Sequence, residues 1–212
     1  RAELRSQLGI PAEAPVMLSL GRLAAEKNLG ELLQLLAEWP EEERPWLVFV
    51  GDGPVRTELE AETIRLGLTE RVRFAGMVSP QEVPRWYQVG DVFVSASRSE
   101  TQGLTYFEAM ACGLPAICRA DPCLEGVIEN GINGWQWEES STFRQGFEDV
   151  MANHSDYAGK AEEKAAHYSS KNFARQALEV YQQAVDAPRP QKDRVLPDVA
   201  KAISELVEYL SQ

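Results

Sequence analysis

Short, nearly continuous apolar runs alternate with amphipathic stretches along most of this chain, and that alternation constrains the fold more than any other feature. Val16 to Leu20 precedes Leu29 to Trp39, Trp46 to Val50 precedes Val55 to Leu66, and Val72 to Phe74 precedes Pro80 to Gln88. Val92 to Ser95 then precedes Leu104 to Cys112, and Pro115 to Cys118 precedes Leu124 to Glu129, before a short run at Trp135 to Trp137. A strand buried on both faces reads as an unbroken apolar run, and parallel neighbours must be joined by a crossover, usually helical. The pattern predicts an α/β fold: a buried parallel sheet with right-handed crossover helices covering both faces.

At 212 residues the chain has room for one large domain, or one plus a tail. Past Ser140 the periodicity is wholly helical. We expect a domain over 1–185, an exposed connector over 186–195 carrying Pro188 and Pro190, and an amphipathic helix over 196–212. In that last segment Leu196, Val199, Ile203, Leu206, Val207 and Leu210 form one apolar stripe. It packs either on this domain or on a partner domain outside the chain.

The 21 basic residues against 33 acidic ones leave a net charge of −12, the wrong sign for binding nucleic-acid phosphates. No apolar run approaches the roughly 20 residues of a membrane-spanning helix. Cys112, Cys118 and Cys123 form no CxxC pair and are expected to be buried, reduced thiols. The chain opens at Arg1, in what reads as a helix already under way and without a signal-peptide core. A cytoplasmic protein lacking its beginning is the expectation.

Glycines stand where the strands end: Gly21, Gly51, Gly53 and Gly76. These are carboxyl ends, the edge at which open α/β sheets bind ligands. The richest such edge is SASRSETQGLTYFEAMAC, Ser95 to Cys112, where a helix starts near Gly103. Free backbone N–H groups around Gln102, Gly103, Leu104 and Thr105 would point at anionic or hydroxyl oxygens, with the helix dipole favouring negative charge. Glu100 and Glu108 stand before and within that helix with seven residues between them. As acceptor-only groups they suit the vicinal hydroxyls of a sugar and a ribose, or are solvated glutamates of a helix start. After the first strand, Arg22 and Lys27 place two cations where a diphosphate would meet them, unless they are only surface charge. Gly51-Asp52-Gly53-Pro54 lacks the third glycine of the dinucleotide fingerprint, and no phosphate loop of the GxxxxGK[ST] type and no HExxH occurs. His154 and His167 lie in the helical tail as surface residues. No plausible nucleophile-base triad is present.

Five strings in this order, GRLAAEKNLGELL, FVGDGPVRTELE, VRFAGMVSP, VFVSASRSETQGLTYFEAMACGLPAI and IENGINGW, resemble the nucleotide-sugar half of the family 4 retaining glycosyltransferases of GT-B fold. The likeness runs from Arg1 to about Phe147 and implies a Rossmann-like domain, one half of a GT-B pair. Within that family the SETQGLTY wording looks most like the 1,2-diacylglycerol 3-glucosyltransferases.

The resemblance implies that Arg22 and Lys27 hold the diphosphate and act in catalysis together with Glu100, which takes the donor hexose. It implies that Glu108 binds the ribose, that backbone from Gln102 to Thr105 meets phosphate and sugar, and that backbone near Met77 and Val78 meets the base. The family's typical aromatic at position 102 is here Gln102. No metal and no cofactor are implied beyond the nucleotide sugar. The expected partners are UDP-glucose and a lipid acceptor, bound through an absent amino-terminal domain, with the whole enzyme peripheral on the inner membrane face. The alternatives are a glycan or polysaccharide-precursor acceptor, or a non-catalytic nucleotide-sugar-binding module.

Overall fold

The computed structural model describes residues 1–98 and 103–186. The chain divides into two compact units, Arg1–Ser169 and Ser170–Gln212. In the first, α1 (Ala2–Gln7), β1 (Val16–Leu20), α2 (Leu29–Ala37), β2 (Trp46–Val50), α3 (Arg56–Arg65), β3 (Val72–Gly76) and α4 (Val83–Tyr87) come first. They are followed by β4 (Val92–Ser95), α5 (Leu104–Ala111), β5 (Ala116–Arg119), β6 (Gly134–Trp137), α6 (Ser140–Ala152) and α7 (His154–His167). In the second unit the described residues form α8 (Ser170–Asp186). The rest of the expected connector and the helix expected over 196–212 lie outside the described residues.

The described residues form one six-stranded sheet, all parallel, in the order β3-β2-β1-β4-β5-β6. This is the Rossmann-like order, and the direction of winding reverses between β1 and β4. Every residue of β2 and of β4 is buried, which is why both read as uninterrupted apolar runs. In α2, Leu29, Leu32, Leu33 and Leu36 repeat at helical spacing and are buried. Helix α2 packs with α3 and α6, while α5 packs with α4 and α7. Right-handed crossovers to the two sides of β1 and β4 put these groups on opposite faces of the sheet.

Three expectations are corrected. Leu124 to Glu129 is no helix: a 3-10 turn at Pro122–Leu124 is capped by the Asp121 carboxylate, which accepts from Cys123 N, and Gly126 takes the left-handed conformation that stops propagation. Cys123 is exposed and Cys112 half-buried, and only Cys118 is buried. His154 is half-buried, its Nε2 lying 2.7 Å from the carbonyl oxygen of Asp91.

The amino end of the sheet is closed by a buried ion cluster. Arg5, 1% exposed, donates to Asp91 Oδ2 at 2.9 Å and to the carbonyl oxygens of Val89, Ala12 and Ala14 at 3.0, 2.7 and 2.8 Å. Asp91 Oδ2 also accepts from the backbone N–H of Val16 at 2.8 Å, and Asp91 pairs with Arg1. A buried guanidinium is tolerable only when its donors are satisfied. This set ties α1 and its following loop to the starts of β1 and β4, leaving the carboxyl edge open.

Candidate functional site

Three strand-end turns at the carboxyl edge are laced together by their backbones. Gly21 N donates to Val50 O at 2.9 Å, Gly51 N to Gly76 O at 2.8 Å, Leu23 N to Asp52 O at 3.0 Å and Val55 N to Leu23 O at 3.2 Å. The approach is so close that a Cβ on Gly51 would lie 1.9 Å from the Gly21 carbonyl oxygen, and one on Gly53 would lie 2.2 Å from that of Leu23. The glycines of Gly51-Asp52-Gly53 therefore do more than turn the chain: they seat the loop carrying Arg22.

That loop ends at Asn28, the one non-glycine residue with positive φ among those described (φ 50°, ψ 36°). Asparagine tolerates this left-handed geometry, and its side-chain amide bonds the Glu31 carboxylate one turn into α2. Glu31 also accepts from Arg119 at the end of β5 at 2.5 Å and lies 3.5 Å from Arg98. Lys27, just before this corner, is half-buried; Arg22 is exposed, with no hydrogen-bond or ion-pair partner among the described residues.

Across the sheet reversal, α5 starts at Gly103, which adopts the left-handed conformation (φ 59°, ψ 33°) that glycine takes without strain. Among the described residues no side chain caps this helix; Tyr106 N donates back to Gly103 O at 3.0 Å, and the N–H groups of Leu104 and Thr105 stand where an oxygen-bearing ligand would meet them, with the dipole favouring an anion. Thr105 in the first turn, Ser19 and Ser95 from the strand ends, and Arg22 and Lys27 line one cavity of about 110 Å³. Its floor lies between β1 and β4, where doubly wound sheets take their ligands. A wider hollow of about 570 Å³ continues from Gly21 and Arg22 past Gly51, Asp52 and Gly53 to Met77, which is 82% exposed. Asp52 is engaged elsewhere, accepting from Gly53 N at 2.7 Å and pairing with Arg56 at 3.2 Å. The cations near the cavity thus face a helix start of the same sign, an arrangement that suits a polyanion.

The structure brings Arg22, Lys27 and Thr105 together and places Met77 at the far end of the adjoining hollow. Val78 is half-buried and packs on the core. Gly103 is buried; Leu104 is 61% exposed at the start of α5. Glu108 is exposed, its Oε2 accepting from the hydroxyl of Tyr87 at 2.9 Å. Glu100 and Gln102 lie outside the described residues. Sequence reasoning missed Ser19, which lay within an apolar run, and Tyr87, 21 residues from Glu108; no local pattern marks such a pairing. Among the described residues no group of three or more His, Cys, Asp or Glu side chains could hold a metal ion, and no helix is long and apolar enough to cross a membrane.

Comparison with known proteins agrees with this fold. Residues 1–171 match the family described as Glycosyl transferases group 1. The alpha-monoglucosyldiacylglycerol synthase of Streptococcus pneumoniae (strain ATCC BAA-255 / R6) is 36% identical across 99% of this chain and 48% of its own length. The enzyme of the same name from Acholeplasma laidlawii is 36% identical across 62% of this chain and 33% of its own. The chain thus spans half or less of the length of these curated relatives. Among solved structures, Anabaena HepE in complex with UDP matches at a TM-score of 0.76 and 25% identity, over 86% of this chain and 52% of that one. The same protein with UDP-glucose matches at 0.73. With a six-stranded Rossmann-like sheet like that of the GT-B enzymes and a family match from Arg1 through α7, this chain belongs to the group 1 glycosyl transferases.

Proposed function

We propose that this chain is the donor-binding domain of a retaining glycosyltransferase that moves a hexose, glucose from UDP-glucose, to a lipid acceptor such as diacylglycerol. The observation that carries the reading is the cavity at the sheet reversal, where Arg22, Lys27 and Thr105 in the first turn of α5 converge. Cleaving a sugar-phosphate bond builds negative charge on the departing diphosphate. Two cations and a helix start already in place would stabilise that charge without reorganisation. Arg22 can fork onto two phosphate oxygens while Lys27 supplies a point charge, each charged hydrogen bond contributing about 1.5–3 kcal/mol.

In this reading Glu108 takes the ribose hydroxyls, Glu100 takes the hexose, and backbone near Met77 and Val78 borders the base. The choice of UDP-glucose and of a lipid rests on the likeness to the two alpha-monoglucosyldiacylglycerol synthases and to the UDP-glucose complex of HepE. The acceptor and the remaining catalytic groups belong to the part of the protein outside this chain, and the whole enzyme works at the membrane surface where a diacylglycerol hydroxyl is presented. Ligand-observed NMR of this chain with UDP-glucose, GDP-mannose, ADP-glucose and NAD in parallel tests the assignment. Selective contact with UDP-glucose is expected. Preference for another nucleotide sugar would change the donor, and contact with NAD alone would overturn the reading.

A further inference from the structure

Tyr87 closes α4 with its ring wholly buried, edge-on to Phe93 of β4 at a centroid distance of 6.1 Å. Its hydroxyl oxygen lies 2.9 Å from Glu108 Oε2 and 3.3 Å from the carbonyl oxygen of Thr105. Both neighbours are acceptors, so the phenol is the donor, and the shorter, charged contact is the stronger. Burial, and then the charge of Glu108, push the phenol well above its ordinary range, so it keeps that proton wherever the protein is folded.

Glu108 itself is exposed, on the turn of α5 that follows Thr105 at the cavity wall. An exposed glutamate samples many rotamers. A donor anchored in the core selects one of them and occupies a single carboxylate oxygen, leaving Oε1 and the outer lone pairs for a ligand. We propose that Tyr87 is a positioning residue that orients the Glu108 carboxylate toward the vicinal hydroxyls of a nucleotide's ribose. This rests on the donor-binding reading and adds to it a residue that no motif marks.

The test compares wild type, Tyr87→Phe, Glu108→Ala and the double variant by calorimetric titration of the full chain with UDP and with 2′,3′-dideoxy-UDP, which has no vicinal hydroxyls to orient. Tyr87→Phe should weaken UDP about fivefold, the effect of one hydrogen bond, and leave dideoxy-UDP unchanged. The double variant should bind UDP no worse than Glu108→Ala alone. Equal weakening of both ligands by Tyr87→Phe would reduce the tyrosine to a packing role, and no weakening of either would remove the role altogether; both overturn the proposal while leaving the donor-binding reading intact. UDP affinity unchanged in Glu108→Ala would instead bring down the ribose assignment and the Tyr87 proposal with it. Thermal midpoints of each variant separate a loss of fold from a loss of orientation.

Discussion

Gly53→Ala links the packing of the strand-end turns to ligand binding. A Cβ at this position would lie 2.2, 2.8 and 2.9 Å from the O, C and N of Leu23. All three are backbone atoms, so no side chain can swing aside, and the two turns must part by about 1 Å to restore ordinary contact. That parting strains the hydrogen bonds from Leu23 N to Asp52 O and from Val55 N to Leu23 O. At about 1 kcal/mol each the loss is about 2 kcal/mol, which at 2–4 °C per kcal/mol for a domain of this size lowers the thermal midpoint by about 4–8 °C. Arg22, one residue from the displaced backbone, then loses much of a charged hydrogen bond, and UDP should bind about tenfold more weakly. Gly159→Ala is the control. Gly159 lies exposed within α7 with nothing within 4 Å of its would-be Cβ, so alanine should stabilise the protein by about 0.5–1 kcal/mol and leave binding alone. Differential scanning calorimetry and calorimetric titration read the two effects separately. A Gly53→Ala protein that melts earlier but binds UDP like wild type would refute the link between this packing and the site; one unchanged in both would refute the packing argument itself.

Asp91→Ala should cost about 3–5 kcal/mol, seen as a lower urea midpoint, because it strands the buried Arg5 guanidinium and removes an acceptor from Val16 N; UDP affinity should hold, since the cluster sits at the opposite end of the sheet. Arg22→Ala should weaken UDP more than Lys27→Ala in parallel titrations, a bidentate guanidinium being harder to replace than a point charge; the reverse order would remove the forked contact. Glu108→Ala should weaken UDP itself, whereas Glu100→Ala should spare UDP and erase only the added affinity of UDP-glucose; equal affinities in wild type and both variants would sink the ribose and hexose assignments.

The strands were legible because parallel strands are buried on both faces. Val16–Leu20, Trp46–Val50 and Val92–Ser95 are observed with the bounds their apolar runs suggest. Strand order was not legible, since it depends on which way each crossover turns back, and no residue within a run encodes that. The segment from Leu124 misled because its apolar spacing suits a helix, while Gly126 and the Asp121 cap settle the backbone locally in a turn. At the site, Arg22, Lys27 and the helix start near Gly103 were visible as chemistry-bearing residues at strand ends. Their convergence depends on the reversal between β1 and β4. The close seating of Gly53 on Leu23 and the bond from Tyr87 to Glu108 join positions far apart in sequence. Such contacts leave no periodic trace, and only the tertiary structure displays them.

In the proposed donor-binding domain the cavity between the ends of β1 and β4 holds the donor's diphosphate. Titrating UDP into the isotopically labelled chain and following backbone amide resonances tests it residue by residue. The largest shifts are expected at Gly21, Arg22 and Leu23 and at Leu104 and Thr105, smaller ones near Met77, and none at Val89 or Asp91 at the far end of the sheet. Shifts confined to the separate hollow lined by Asp121, Glu125 and Gln136, with the Arg22 loop silent, would contradict it.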